Sequence, residues 1–307
     1  MRVLITGLRG QVGHELLRLA PAGFDVVGLD SAALDITAAT QVAKIVNQLK
    51  PGLIINAAAY TAVDKAESES TLAWAVNCDG VVHLALAAER LDIPLFHIST
   101  DYVFAGDAQA PYRETDATAP PCVYGASKLA GEGALAANCS RYVILRTSWV
   151  FSNHGHNFVK TMLRLGQERE ELGVVADQRG GPTSANSIAR TLWSLASYYK
   201  DRGSLPWGIY HFCGTPACSW YELALEIFRQ AHELGLLERE PRLQALTTAD
   251  YPTQARRPAN SVLDCHKLLQ LLQQDPPDWR TELQACLRSL AAPAVLTDAP
   301  LATGPCQ

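Results

Sequence analysis

Short apolar runs alternate with longer amphipathic stretches through the first half of the chain: "RVLITG" (2–7), "DVVGLD" (25–30), "LIINAAA" (53–59), "PLFHIST" (94–100) and "YVILRTS" (142–148). Runs of this length, barely interrupted by polar residues, suit strands buried on both faces, and the helical spacing between them suits crossover connections. The pattern predicts βαβ units and an α/β fold with a doubly wound, Rossmann-type parallel sheet. In "STLAWAVNCDGVVHLALAAERL" (70–91), Leu72, Val76, Val81, Leu84 and Ala88 keep the near-helical spacing of a helix covering that sheet. Gly80 costs such a helix about 1 kcal/mol, and a close packing contact would explain it.

After about residue 150 the rhythm loosens. The signals become "DQRGGPTS" (177–184), a strand-like "GIYHFCG" (208–214), a helix from Ser219 and "YPTQARRPANS" (251–261). This predicts one unit from residues 1–150, to which 184–214 return, and a smaller C-terminal lobe from 151–183 and 215–290. Residues 291–307 are rich in Ala and Pro without periodicity, and a disordered tail is expected there. There is no internal repeat.

With 307 residues, 48% of them hydrophobic, the chain can bury one large core or two coupled ones. A net charge of -5 with no run of Lys or Arg argues against a nucleic-acid footprint or a polybasic membrane patch, leaving small molecules or protein subunits as partners. No apolar run approaches the roughly 20 residues that span a bilayer. "MRVLITGLRGQVG" turns glycine-rich too soon for a signal peptide, so a cytoplasmic location is expected. The eight cysteines are scattered without a C-x-x-C pair and read as buried reduced thiols.

Candidate chemistry begins with "TGLRGQVGHELL", where Gly7, Gly10 and Gly13 sit between the first strand and a helix. Glycines there permit a tight turn and let the backbone approach a pyrophosphate, while the helix N-terminus supplies N–H donors. Asp30 ends the second strand, where an acid accepts from adenosine ribose hydroxyls and favours NAD. Arg9, inside the loop, would suit the 2′-phosphate of NADP, so the choice between NADH and NADPH stays open.

Tyr124 and Lys128 fall one turn apart if residues 123–136 are helical. Lys128 would then lower the Tyr124 pKa and make the phenol a general acid near neutrality. "HISTDYVF" places Ser99, Thr100 and Asp101 at the carboxyl end of a parallel strand, where open α/β sheets bind ligands. A hydroxyl there could polarise a substrate carbonyl beside the tyrosine.

The glycine loop, "NAAAYTAVDKAE", "STDYVF" and "YGASKLAGE" together resemble the extended short-chain dehydrogenase/reductase family, which pairs a Rossmann unit with a smaller substrate lobe. "NAAAYTAVDKAESE", "STDYVFAG", "ETDATAPPCVYGASKLAGE", "RTSWVF", "NFVKTMLRL", "DQRGGPTS" and "YPTQARRPANS" narrow the likeness to its branch acting on dTDP-linked 4-keto-6-deoxy sugars. The resemblance, over about residues 1–290, implies NAD(P)H-dependent reduction of a C4 ketone that yields dTDP-L-rhamnose. It implies that Tyr124 donates the proton, Lys128 holds the nicotinamide ribose and Thr100 polarises the carbonyl. Matching cofactor positions are Gly10, Gln11, Val12, Asp30, Asp35, Ile36, Ala59, Tyr60 and Thr61; matching sugar-nucleotide positions are Thr100, Asp101 and Trp149. Arg256 and Arg257 would meet the diphosphate.

Some members of the family dimerise around a magnesium ion held by glutamates. Glu15 matches the first of these, but a second expected position carries Asn186, a poorer ligand, which makes a magnesium-linked homodimer doubtful here. His154 and His156 read as loop residues. Relatives of this fold also include non-catalytic nucleotide-binding subunits, against which the retained Thr100, Tyr124 and Lys128 speak, and reductases or epimerases of other nucleotide-linked 4-ketohexoses.

Overall fold

Six parallel strands form the central sheet of the computed structural model, which describes residues 1–291. They are β1 (Arg2–Thr6), β2 (Asp25–Leu29), β3 (Leu53–Asn56), β4 (Leu95–Thr100), β5 (Tyr142–Thr147) and the strand Gly208–His211. Across the sheet the order runs from Gly208–His211 through β5, β4, β3 and β1 to β2. Strand order reverses between β1 and β3, which opens a crevice at the carboxyl ends there. With β2 at the edge, the sheet has one strand fewer on that side than the 3-2-1-4-5-6 dinucleotide-binding arrangement.

Both faces are covered, which is why the strands read as nearly continuous apolar runs. Val3, Ile5 and Ile55 point to one face, where Leu16 of α1 (Gln11–Arg18) and Ile188, Leu192 and Trp193 of the helix Ala185–Arg202 close the core. Leu4, Ile54, Leu95 and Ile144 point to the other, against Val42 of α2 (Ala39–Leu49), Val81 and Leu84 of α3 (Ser70–Arg90), and Leu135 of α4 (Val123–Asn138).

α3 departs from the sequence pattern in two ways. Its 21 residues, with a window of mean hydropathy 1.3, are long and apolar enough by composition to cross a membrane, contrary to the expectation that no segment approaches that length. Its apolar face is instead spent on the sheet, with Val81, Leu84, Ala85 and Ala88 fully buried. The helix also contains a π-turn at Ala75–Asp79, whose extra residue breaks the phase of the stripe. Leu72, expected on the buried face, is therefore half-exposed, and Ala73 and Asn77 face inward. Gly80 packs against Ile36, to which an added Cβ would come within 2.7 Å.

A separate core joins Phe151, Val159, Met162, Leu172, Leu223, Phe228, Trp279 and Leu283. It is built from helices Phe158–Glu168, Trp220–Glu233 and Trp279–Ala291, with a parallel ladder between Glu171–Val175 and Arg242–Leu246. The helix expected from Ser219 begins at Trp220, with Ser219 and Glu222 forming a reciprocal capping box. Apart from Ala291, the expected tail lies outside the described residues.

One ion pair ties the sheet to its cover. Arg146 of β5 donates to both carboxylate oxygens of Glu132 on α4, at 2.6–3.2 Å, with each side chain only 3% exposed. Removing one partner of such a pair strands a buried charge. Arg146→Met is expected to cost about 3–5 kcal/mol of unfolding free energy in urea titrations; a loss of about 1 kcal/mol or less, the size of an exposed pair, would contradict it.

Candidate active site

The glycine loop lies at the crevice between β1 and β3. Gly7 takes φ +71°, and a Cβ there would lie 2.5 Å from the backbone of Ala58, so the loop closes only with glycine. Gly10 precedes α1 without a side-chain cap, leaving the first-turn N–H groups of Gln11, Val12 and Gly13 for an anion. The Gln11 side chain accepts from Asn157 at 2.9 Å, which links the loop to the second core's edge. Arg9 and Asp30, the opposed cofactor determinants, are paired with each other at 2.6 Å. Asp30 also accepts from the N–H groups of Ala32 and Ala33. Asp35 is exposed and accepts from the Thr37 N–H and hydroxyl, whereas Ile36 is buried beneath Gly80.

After β3, Ala59, Tyr60 and Thr61 form a loop pinned by Asn77, a residue absent from the sequence prediction. Asn77 Oδ1 accepts from the Tyr60 N–H at 2.9 Å, and Nδ2 donates to the Tyr60 carbonyl and to Ser127 Oγ of α4. The π-turn is what aims this side chain inward. Tyr60 donates to Glu69 at 2.7 Å, and that carboxylate holds its phenol up at about 12.

The structure brings Thr100, Tyr124 and Lys128 together. Thr100 ends β4, donates to Asp101 Oδ1 at 2.9 Å and stands beside the Tyr124 hydroxyl. Tyr124 lies in the first turn of α4, edge-on to Tyr102 with ring centres 5.5 Å apart. The small residues around it are close approaches: a Cβ on Gly125 would sit 2.2 Å from the Tyr102 carbonyl, and one on Gly131 2.0 Å from that of Asn77. Glu67 accepts from the Val123 N–H at 2.9 Å and caps the helix.

The electrostatics differ from expectation. Burial raises the Tyr124 pKa above its ordinary value, outweighing the nearby Thr100 hydroxyl. Lys128 does not lower it, because its Nζ turns away to the Ile98 carbonyl at 2.8 Å and to His97 Nε2 at 3.1 Å. Burial brings Lys128 down to about 8. Behind it, His97 of β4, Asn56 of β3 and Thr6 of β1 are in register and joined by hydrogen bonds, a polar row the sequence reading missed.

On the substrate side, Asp101 is 2% exposed, and its Oδ2 has no hydrogen-bond partner among the described residues. Ser99 Oγ and Thr147 Oγ1 are in the same condition at the ends of β4 and β5. Trp149, at φ +48°, stacks on Trp220 with ring centres 3.5 Å apart, so one face of the indole is already covered. Arg257 is bound to Asp64 at 2.8 Å, while Arg256 is exposed; the two diverge.

Glu15, the possible magnesium ligand, is buried and engaged by Arg18 and by Asn186 at 3.1 Å. Among the described residues no group of three or more His, Cys, Asp or Glu is placed to hold a metal. His154 stacks on His14 with centres 4.4 Å apart, 3.8 Å from Glu15.

A glycine cradle at the strand reversal, with a Tyr-x-x-x-Lys helix and a strand-end hydroxyl beside it, defines an extended short-chain dehydrogenase/reductase. Residues 1–292 match the RmlD substrate binding domain family, and the chain belongs to that family. It is 48% identical over 285 residues to a dTDP-4-dehydrorhamnose reductase of Aggregatibacter actinomycetemcomitans, covering 92% of this chain and 97% of that one. Among solved structures, the fold superposes on a dTDP-4-dehydrorhamnose reductase from Clostridium acetobutylicum with TM-score 0.88 and 38% identity, over 95% of this chain and 100% of that one. It also superposes on the Bacillus anthracis enzyme in complex with NADP, with TM-score 0.87 and 38% identity, over 94% and 99% of the two chains.

Burial raises the Asp101 pKa from 3.8 to about 6. A raised folded-state value means the native protein holds this proton more tightly than the unfolded chain, so the contribution is full below about pH 4 and lost as pH rises through about 6. Asp101→Asn is expected to flatten the fall in unfolding free energy across that interval. An unchanged slope would show that Asp101 is not the group responsible.

Proposed function

We propose that this protein reduces the C4 ketone of dTDP-6-deoxy-L-lyxo-4-hexulose to dTDP-L-rhamnose, the closing step of dTDP-rhamnose synthesis, with NADPH or NADH. The observation that carries the proposal is the convergence of Thr100, Tyr124 and Lys128 on one strand end beside the glycine cradle. NAD(P)H, when bound, supplies the hydride. The uncapped start of α1 would take its pyrophosphate, Asp30 or Arg9 its adenosine ribose, and Lys128 its nicotinamide ribose.

Tyr124 then gives its proton to the C4 oxygen as the alkoxide forms. Burial keeps that phenol protonated until the ketone arrives, at a cost in acid strength. Thr100 has one hydroxyl hydrogen, here given to Asp101, and it stabilises the developing charge on the same oxygen by turning that hydrogen from Asp101 to the substrate. Trp149 has only its uncovered surface for the sugar ring, and Arg256 is the freer of the two arginines for the diphosphate. Free thiols at all seven described cysteines suit the cytoplasm as the setting.

The test is oxidation of NADPH and of NADH, measured separately, with enzymatically generated dTDP-4-keto-6-deoxy-L-hexose. Turnover is expected, and Tyr124→Phe is expected to lower kcat by about 10²-fold or more with the fold intact. No oxidation of either cofactor by the wild-type chain would overturn the reading, and undiminished turnover in the variant would remove Tyr124 as proton donor.

A further inference from the structure

Two thiols meet where the sheet adjoins the segment that carries Arg256 and Arg257. Cys213 lies two residues past the strand Gly208–His211, and Cys265 stands immediately before the short helix His266–Leu272. They are 52 residues apart in sequence and only 2% and 7% exposed, with their sulfur atoms 3.6 Å from each other. The Cys213 backbone N–H donates to Cys265 Sγ at 3.2 Å, and each sulfur lies 3.7 Å from the Leu263 carbonyl. No other pair of described cysteines makes a sulfur–sulfur contact.

Both backbones are anchored beside the pair. The Phe212 N–H donates to the Arg146 carbonyl of β5 at 2.9 Å, and the Gly214 N–H to Thr183 Oγ1 at 3.2 Å. On the other side the Asp264 N–H donates to the Tyr112 carbonyl at 2.8 Å, and the Leu269 N–H to that of Cys265 at 3.1 Å. The sulfurs are therefore held in van der Waals contact, and a bond between them, about 2 Å long, needs only a local displacement.

We propose that Cys213 and Cys265 are a peroxide-sensitive pair, which a hydroperoxide converts into a disulfide that weakens binding of the diphosphate-linked nucleotide. The Cys213 thiolate attacks the peroxide, so that an S–O bond forms, the O–O bond breaks and hydroxide leaves. The Cys265 sulfur then attacks the resulting sulfenic acid; the S–S bond forms, the S–O bond breaks, and the departing hydroxide takes the Cys265 proton as water. The two sulfurs lose two electrons in all, and the peroxide is reduced to water. Cys213 is the first to react because the Cys265 thiol donates to it and lowers its pKa, while that same bond and burial hold the Cys265 proton. Burial keeps bulky thiols out, so the sulfenic acid meets Cys265 before any soluble thiol.

The effect on binding rests on the proposed reaction; the disulfide does not. Cys213 underlies the strand that supports Trp149: a Cβ on Gly181 would lie 2.8 Å from the Cys213 sulfur, and one on Gly180 2.4 Å from the Trp149 ring. Cys265 ends the segment with Arg256 and Arg257, in which the Ser261 N–H donates to the Arg179 carbonyl at 2.8 Å. Closing the bond draws Cys213 away from Gly181 and the arginine segment toward the sheet, so both sides of the proposed sugar-nucleotide site shift.

The test treats the full cofactor-free protein with hydrogen peroxide, unfolds it in iodoacetamide and maps its cysteines by mass spectrometry, with dTDP affinity measured by calorimetry on the same samples. A single cross-link joining the Cys213 and Cys265 peptides is expected, reversed by dithiothreitol. Cys265→Ser should instead leave a sulfenic acid on Cys213, trapped by dimedone during unfolding. Affinity for dTDP should fall about 5-fold or more on oxidation, the lower end of coupling between two sites, and return on reduction. Cys213→Ala should bind dTDP equally before and after peroxide. Alkylation of both wild-type thiols after peroxide would overturn the proposal, as would a cross-linked protein with unaltered dTDP affinity. Failure of the reduced protein to bind dTDP would count against the proposed reaction, whereas the cross-link is read by mass in either case.

Discussion

Lys128 is 2% exposed and has no carboxylate to itself, and that constraint organises the site. A buried ammonium without a partner is costly enough that proteins shift its pKa instead. Here the polar groups that receive it are arranged in a row across three strands, at the register positions Thr6, Asn56 and His97. They occupy the sheet face on which α4 packs, so the helix carrying Tyr124 is also the one whose lysine closes the row.

The acid that would otherwise neutralise Lys128 is diverted. Glu132 is taken by Arg146, whose guanidinium also lies 5.0 Å from the centre of the Phe104 ring. The ion pair therefore clamps α4 to β5 and leaves Lys128 only the distant pull of the Glu132 charge. A second clamp comes from α3, whose π-turn sends Asn77 to both the Tyr60 loop and Ser127. The loop of Ala59, Tyr60 and Thr61 and helix α4 are thus set by one side chain, and Gly131 lets the two helices meet at the Asn77 carbonyl.

Much of this was legible in the residues. The six strands fall within the apolar runs, and the glycine loop, the strand-end Thr100 and the Tyr124–Lys128 helix stand where pattern and resemblance put them. What escaped has a physical reason in each case. Asn56, His97 and Thr6 sit in strand segments that read as apolar because polar side chains that satisfy one another inside a sheet leave no periodic trace. The π-turn is invisible to a 3.6-residue template, which misplaced Leu72 and hid Asn77. The direction of the Tyr124 shift was misjudged because helical spacing brings two side chains to one face without saying where the longer one ends. Arg9 and Asp30 looked like alternatives and are partners.

The burial of Lys128 is read most directly by a pH titration of its side-chain carbon resonances in the full cofactor-free chain, with the signals assigned by their loss in Lys128→Met. A midpoint near 8 is expected. A midpoint near 10.5, that of an ordinary lysine, would contradict the burial and the row of polar groups that receives this side chain.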